Sequence, residues 1–359
     1  MTKHIIGIDL GTANTLIWLD KGETAVFNEP TVLSRNIETK KVQDIGYLAS
    51  KMLGRSPYNI KITKPLKRGV VANLDDTVDF IKQAFANLKM SKVLKGSTII
   101  LATPSDITQV ERNALTEVAK RLDAKEIIIE SEAKMAAIGS GIDIYSPRGN
   151  MIVDIGGGTT DIAVVSLGEV VVTKSCSVCG DILDEAIVRY MRNKQHLIIG
   201  EKTAEYIKMK IGSVEQDPDN KLIDVNGRDI VSSLPHSVII STSEIKQILV
   251  PLLNQIAEVI IDTLEITPPE LSADIVHNGL VLAGGGSLLS GTREFFEKRL
   301  NIPAMIQRIE LVLTQYRDSS PQVQNELLKS VIEKVIYHKE KGAKPADFQL
   351  EVSLLPIFL

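Results

Sequence analysis

Cysteine, aromatic residues and basic charge are all scarce in this chain of 359 residues, which has two cysteines, one tryptophan and an aromatic content of 4%. Cys176 and Cys179 cannot build a disulfide scaffold, and so few thiols fit a reducing compartment. The aromatic content leaves little surface for stacking bases. Lys and Arg total 41 against 45 Asp and Glu, a net charge of −4. Proteins that live on nucleic-acid phosphate are usually basic, so no nucleic-acid partner is expected. No apolar run reaches about 18 residues, so no bilayer span is expected. The start, MTKHIIGIDLGT, enters a strand pattern at once and shows no signal-peptide pattern.

What remains is ordinary globular material, 44% hydrophobic and 24% charged, with no sign of long disorder. The length suits two domains or one large α/β unit with a sizeable core.

The informative feature is an internal near-repeat. Asp9-Leu10-Gly11-Thr12-Ala13-Asn14-Thr15 aligns with Asp154-Ile155-Gly156-Gly157-Gly158-Thr159-Thr160 at an offset of 145 residues. Each copy follows a short apolar run and precedes another, which reads as strand, glycine-rich turn, strand. A hairpin repeated at domain-scale spacing points to two related halves facing each other.

Between the hairpins strands and helices alternate. Ser97 to Ala102 reads as a buried strand, and Thr108 to Glu111 as a capping box opening a helix to Leu122. Ile127 to Ile129 is a second short strand, and Glu132 to Gly141 an alanine-rich helix. Helices are expected over Asp181 to Arg192 and Thr203 to Ile211. Ser241 to Glu244 is another capping box, opening a long apolar-periodic stretch to Leu264 that Pro251 is expected to break or kink. A strand, Gly279 to Ala283, then runs into a third turn, Gly284 to Ser287. The alternation argues an α/β fold of duplicated mixed-sheet halves. The stretches 31–63 and 178–242 read as excursions from those halves. Ile332 to Lys341 is expected to be a solvated helix, and Leu350 to Leu359 a strand-like tail.

Glycine turns let backbone N–H groups approach an anion without interference from Cβ. Any one of them alone is as well explained by a tight hairpin. Two facing turns, each led by an aspartate at a strand end, can hold a polyphosphate from both sides. Thr12, Ala13 and Asn14 would take one side, and Gly156, Gly157, Gly158 and Thr159 the other. Asp9 and Asp154 can then hold a hydrated Mg²⁺, an ion that keeps most of its waters and uses few carboxylates. The third turn, Gly284, Gly285, Gly286 and Ser287, would cradle a base and sugar. The rival phosphate motifs, GxxxxGK[ST] and GxGxxG after a strand, are absent.

At these residues the chain resembles the actin and sugar-kinase ATPase superfamily, and most closely its MreB family of bacterial actins. IGIDLGTANT (6–15) and VDIGGGTTDIAVVSLG (153–168) resemble the two phosphate motifs, AAIGSG (136–141) the connecting helix, and GLVLAGGGSLLSG (279–291) the adenosine motif. GEKTAEYIKMKIG (200–212) and TPPELSADIV (267–276) are similar to the family outside the nucleotide loops. The likeness runs from about residue 4 to 303.

The resemblance implies an actin-like, two-lobed ATPase fold around a nucleotide cleft, with four subdomains. Subdomain IA would take 1–30, 64–140 and 310–359, IB 31–63, IIA 141–177 and 243–309, and IIB 178–242. It implies ATP or ADP with Mg²⁺, bound as above. Glu205 and Lys208 would contact the ribose. Glu132 would position the water that attacks the γ-phosphate, with Thr159 its partner. It also implies slow ATP hydrolysis coupled to polymerisation into polar protofilaments that pair antiparallel. The filaments would lie in the cytoplasm on the inner face of the cell membrane and set rod shape with wall-synthesis proteins. A divergent copy shaping and moving a wall-less helical cell is the variant reading. A small-molecule kinase or a chaperone ATPase on the same fold are the alternatives, but no acceptor-site base and no substrate-binding domain are visible.

Several positions depart from the family pattern. Glu132 is followed by Ala133-Lys134 where Pro-Met is usual, Ser131 replaces an acid, and Asp161 a glutamate. The segment 309–320 replaces the expected small-residue stretch. Lys134 is expected to disturb the electrostatics at Glu132.

Two further features have modest readings. Cys176-Ser177-Val178-Cys179 lacks a second ligand pair, so two partly buried thiols are expected rather than zinc. Leu88 to Lys95, LKMSKVLK, reads either as a loop packing its own apolar residues or as a membrane loop. The family's hydrophobic loop at this place favours the second, with Met90, Val93 and Leu94 inserting among the lysines.

Overall fold

A computed structural model describes residues 4–20, 25–215, 219–306, 332–338 and 349–354. The chain divides into two compact units, Met1–Ala304 and Met305–Leu359.

In the first unit, β1 (Ile5–Leu10), β2 (Asn14–Leu19) and β3 (Phe27–Pro30) form a meander. Alternating burial along β1 puts Ile6, Ile8 and Leu10 into the core, as a half-buried strand requires. A small sheet follows: β4 (Leu33–Asn36), β5 (Val42–Ile45) and, after helix α1 (Gly46–Lys51), β6 (Ile60–Thr63). A short hairpin, β7 (Leu66–Lys67) with β8 (Val70–Val71), leads into α2 (Leu74–Asn87), which Asn73 caps by accepting from the Asp76 N–H. A single helical turn, α3 (Ser91–Leu94), precedes β9 (Thr98–Thr103), α4 (Gln109–Arg121), β10 (Glu126–Ser131) and α5 (Glu132–Gly139). Thr108 and Glu111 cap α4 reciprocally, as their spacing implied.

The second meander is β11 (Asn150–Ile155), β12 (Thr160–Ser166) and β13 (Glu169–Cys176). Helix α6 (Gly180–Lys194), β14 (Leu197–Ile198), α7 (Glu201–Ile211), β15 (Leu222–Asp229) and β16 (Pro235–Ser241) follow, the three strands forming one small sheet. Then come α8 (Thr242–Glu265), α9 (Pro269–Asn278), β17 (Leu280–Ala283), α10 (Thr292–Leu300) and β18 (Ala304–Ile306).

The two large sheets have matching orders, β10-β9-β1-β2-β3 and β18-β17-β11-β12-β13. The correspondence reaches individual residues. Asp9 lies beside Ala102 of its parallel neighbour β9, and Asp154 beside Ala283 of its parallel neighbour β17. The repeat seen in the sequence is therefore a duplicated sheet. Each sheet carries its strand-end aspartate on the central strand.

The helix over 242–265 runs through Pro251 instead of breaking there. Pro251 and Gln247, whose carbonyl loses its i+4 donor, are both exposed, on the side of the helix where a missing bond costs least. By length and composition α8 is apolar enough to cross a membrane. Its inward face, including Ile245, Leu249, Leu253, Ile256 and Ile260, is buried in the protein.

The segment 88–95 differs from its expected form as well. It closes into α3, Leu94 is only 6% exposed within the core around Phe80 and Phe85, and Val93 packs against that core. Met90 remains exposed at 37%, beside exposed Lys89, Lys92 and Lys95. A leucine already buried by its own fold has no hydrophobic surface left to give a bilayer.

In the second unit, β19 (Ile332–His338) pairs antiparallel with β20 (Gln349–Leu354). The expected helix over 332–341 is thus a strand over 332–338. Ile332, Val335, Ile336 and Tyr337 suit a pleated strand better than a solvated helix. Residues 309–320 lie outside the described residues.

Candidate functional site

The turns of the two repeated hairpins lie against each other. A Cβ placed on Gly157 would lie 2.6 Å from the Ala13 Cβ, and one on Gly158 would collide with the Thr12 hydroxyl. Thr12 is buried, and its hydroxyl accepts the Gly69 N–H at 2.8 Å. Gly156 donates its own N–H to the Thr159 carbonyl at 2.9 Å, closing the second turn. Ala13 and Asn14 are exposed on the first turn.

The third turn backs onto the same place. Gly284, at φ +76°, is packed so tightly on Asp154 and Ile155 that any side chain would strike the carboxylate. Gly285 faces open space. Ser287 is buried and donates to the Gly284 carbonyl at 2.7 Å, so its hydroxyl builds the turn.

Four carboxylates converge at these turns. Burial first, then the charges of Asp9 and Asp161, push Asp154 up to about 7. Burial, followed by Asp9, Asp154 and Asp161, holds Glu132 well above the usual carboxylate range. Glu132 opens α5, whose N-cap is Ser131. The Lys134 ammonium pairs with Glu130 at 3.5 Å, so this departure from the family pattern is taken up one turn away from Glu132.

Asp161 is the site residue that the sequence reading passed over as a mere departure. It is 1% exposed, and it sits directly across the hairpin from Asp154. Burial raises its pKa, while hydrogen bonds donated by Ser175, Thr159 and the Ser105 N–H hold the charged form. The Thr159 hydroxyl is thus engaged with Asp161. The signal was in the repeat: the position equivalent to Asp161 in the first copy is Leu16, so the halves differ there in charge.

This acid cluster suits a cation. Like charges this close and this buried keep protons unless a positive charge joins them. Among the described residues no group of three or more ligating side chains has direct metal geometry.

Glu205 and Lys208 lie one turn apart on α7. The Lys208 ammonium is 2.9 Å from Asp184 and 3.1 Å from the Gly180 carbonyl. The N-terminus of α7 also meets the first half's excursion. Lys64, just after β6, reaches Glu201 at 3.0 Å, and Lys202 reaches Ser50 of α1 at 3.0 Å. Burial works against the Lys64 charge, but Glu201, Asp181 and Glu205 outweigh it and hold the ammonium's pKa up.

Two other features stand apart. A charged groove of about 870 Å³ lies between β4, β6 and α2, lined by Arg35, Lys61 and Asp79 among others, and shares no residue with the turns. Cys176 and Cys179 are free thiols that burial pushes up, Cys176 partly buried as expected and Cys179 fully buried.

Comparison with known proteins gives the family. Residues 3–313 match the MreB/Mbl protein family model. The chain is 41% identical over 306 residues to the cell shape-determining protein Mbl of Bacillus subtilis, covering 85% of this chain and 92% of that one. It is 39% identical over 314 residues to the cell shape-determining protein MreB of Escherichia coli, covering 85% and 89%. The crystal structure of MreB 5 of Spiroplasma citri bound to AMPPNP superposes with a TM-score of 0.83 at 38% identity, covering 92% of this chain and 99% of that one. The MamK double helical filament, at 21% identity and a TM-score of 0.70, shares the actin-like fold and covers 86% and 95%.

Proposed function

This chain belongs to the MreB/Mbl family, and we propose that it binds and slowly hydrolyses ATP and polymerises into membrane-associated filaments that control cell shape. The carrying observation is the meeting of both glycine turns with four carboxylates at one place.

In this reading the free N–H groups of the two turns hold the phosphates from opposite sides, and Gly284 to Gly286 receive the adenosine. Bound Mg²⁺ would neutralise the phosphate oxygens and the facing carboxylates, with Asp9 and Asp154 holding its waters. Glu132 then orients the attacking water, since it is the carboxylate in the cluster that opens a helix rather than ending a central strand. Asp161 and Thr159 keep each other in place beside it.

Self-association is part of this reading because the MamK double helical filament shares the fold. The filament lies at the inner face of the cytoplasmic membrane. Membrane contact through the turn after α2 rests on Met90 and its neighbouring lysines, because Leu94 belongs to the core. Each lysine is worth about 1 kcal/mol on anionic lipid, so tight binding needs many copies along a filament.

Sedimentation with ATP, ADP or no nucleotide tests the central reading. Pelleting that rises with protein concentration and depends on ATP is expected. A protein that neither binds ATP nor pellets at any concentration would overturn it. Flotation of assembled Met90→Ser protein with anionic vesicles tests the anchor: reduced flotation with unchanged pelleting is expected, and unchanged flotation would exclude this turn.

A further inference from the structure

The resemblance assigns Lys208 to the sugar of the nucleotide, but two of its ammonium's three donors are engaged inside the protein. Asp184 Oδ2 accepts from it at 2.9 Å and the Gly180 carbonyl at 3.1 Å. Both side chains are largely buried, at 17% and 13% exposure. The other carboxylate oxygen of Asp184, Oδ1, is buried with no protein partner. A buried ion pair with one unsatisfied oxygen is costly, and such pairs persist where they fix a geometry.

The geometry fixed here is that of the second phosphate turn. Gly180 opens α6, and its N–H donates to the Gly156 carbonyl at 2.9 Å. The next N–H, of Asp181, donates to the Gly157 carbonyl at 2.9 Å. A Cβ on Gly180 would lie 3.3 Å from the Gly157 Cα and 3.5 Å from the Lys208 ammonium, so turn, helix start and lysine are in close contact. Gly180 is thus held through its carbonyl by Lys208 and holds the turn through its N–H. With both carbonyls of Gly156 and Gly157 occupied from behind, the turn cannot rotate its peptides away from a ligand.

We propose that Asp184 and Lys208 are positioning residues that lock the Gly156–Gly157 phosphate turn through Gly180. The proposal rests on the nucleotide reading above. The charged groups facing Asp184 are Lys208, which favours its ionised form, and Glu205 and Asp181, which oppose it; burial is the largest influence and carries it to about 6. Protonation below that pH would release Lys208 and loosen the turn.

The experiment is competition of ATP and 2′-deoxy-ATP against a fluorescent nucleotide, with magnesium, on the full chain. The variants are Asp184→Asn, Lys208→Met, the double variant and Lys208→Arg, each checked for an unchanged circular dichroism spectrum. Loss of a charge-assisted hydrogen bond predicts about tenfold weaker binding in either single variant. That loss should be equal for ATP and 2′-deoxy-ATP, no greater in the double variant, and mostly restored in Lys208→Arg. The affinity lost by the wild type between pH 7 and 5 should be smaller in Asp184→Asn. Lys208→Met weakening ATP but not 2′-deoxy-ATP would make Lys208 a direct sugar contact and overturn the proposal. Wild-type affinity in Asp184→Asn would overturn it too. A wild type that binds neither nucleotide would instead fail the nucleotide reading itself, and this proposal with it.

Discussion

Across the first hairpin Asp9 faces Leu16; across the second, at the equivalent positions, Asp154 faces Asp161. The sheets around them share one strand order, and both aspartates end a central strand flanked by one antiparallel and one parallel neighbour. The scaffold is duplicated, but the charge is not. The first hairpin offers one carboxylate and a turn with two exposed residues, Ala13 and Asn14. The second hairpin carries two facing acids beside a turn in which Gly158 has no room for a side chain. Duplication gives two opposed glycine turns, and divergence at a few positions sets two acids against each other in one hairpin only.

Glu132 tests this division most strongly, since it follows the edge strand of the first half yet is perturbed by Asp154 and Asp161 of the second. Glu132→Ala should lower phosphate release by about 10²–10⁴-fold while ATP affinity changes little, because a water-positioning group acts in the transition state. Single-turnover phosphate release and nucleotide titration measure the two effects separately. A wild-type rate already at background would show that the site is disabled despite the Lys134–Glu130 pair.

The turns themselves can be compared by exchanging equivalents, since Ala13 corresponds to Gly158. Gly158→Ala forces a Cβ into Thr12 and Gly69, and overpacking of this kind costs about 1–3 kcal/mol, or up to about 100-fold in ATP affinity. Ala13→Gly should change affinity by less than about threefold. Equal effects would contradict the asymmetry.

Stability against pH sharpens the contrast in buried charge. Asp154 is raised from 3.8 to about 7, so the folded state holds a proton that the unfolded chain has released. Stability is then full below about pH 4, falls as pH rises, and levels off above about pH 7, a loss of about 4 kcal/mol. Nucleotide-free Asp154→Asn should melt higher than wild type at pH 8, with little difference at pH 4, while losing magnesium-dependent ATP binding. Identical melting curves at pH 8 would show that Asp154 is not strained by its neighbours.

The smallest effect concerns an ion pair between the first half and α7. The Lys64–Glu201 pair is partly exposed, at 39% and 74%, and such pairs are worth about 0–1 kcal/mol. Lys64→Ala should speed nucleotide dissociation by no more than about fivefold in stopped flow. No change would mean that this pair does not restrain the cleft.

Much of the site was legible because repeats and glycine turns are local patterns. The offset of 145 residues located both turns and both strand-end aspartates, and the capping boxes at Thr108–Glu111 and Ser241–Glu244 marked helix starts that the structure contains. Features set by tertiary contact were not legible. Asp161 reads as an ordinary polar residue until its hairpin register places it opposite Asp154. Lys208 looks free until α6 supplies Asp184 and Gly180. Leu94 and Val93 sit among lysines in the sequence, and only the packing of α2 and α3 shows that they belong to the core. Pro251 is tolerated on the exposed side of α8, where Gln247, the residue whose carbonyl loses its donor, is also exposed, a matter of orientation that local propensity does not carry.

The central claim is that both turns grip one polyphosphate, and amide hydrogen exchange with and without Mg-ATP tests it most directly. Slowed exchange is expected at 12–14 and 157–159 together, saturating at the same nucleotide concentration, with none around the charged groove at Arg35 and Lys61. Protection confined to one turn, or centred on that groove, would contradict it.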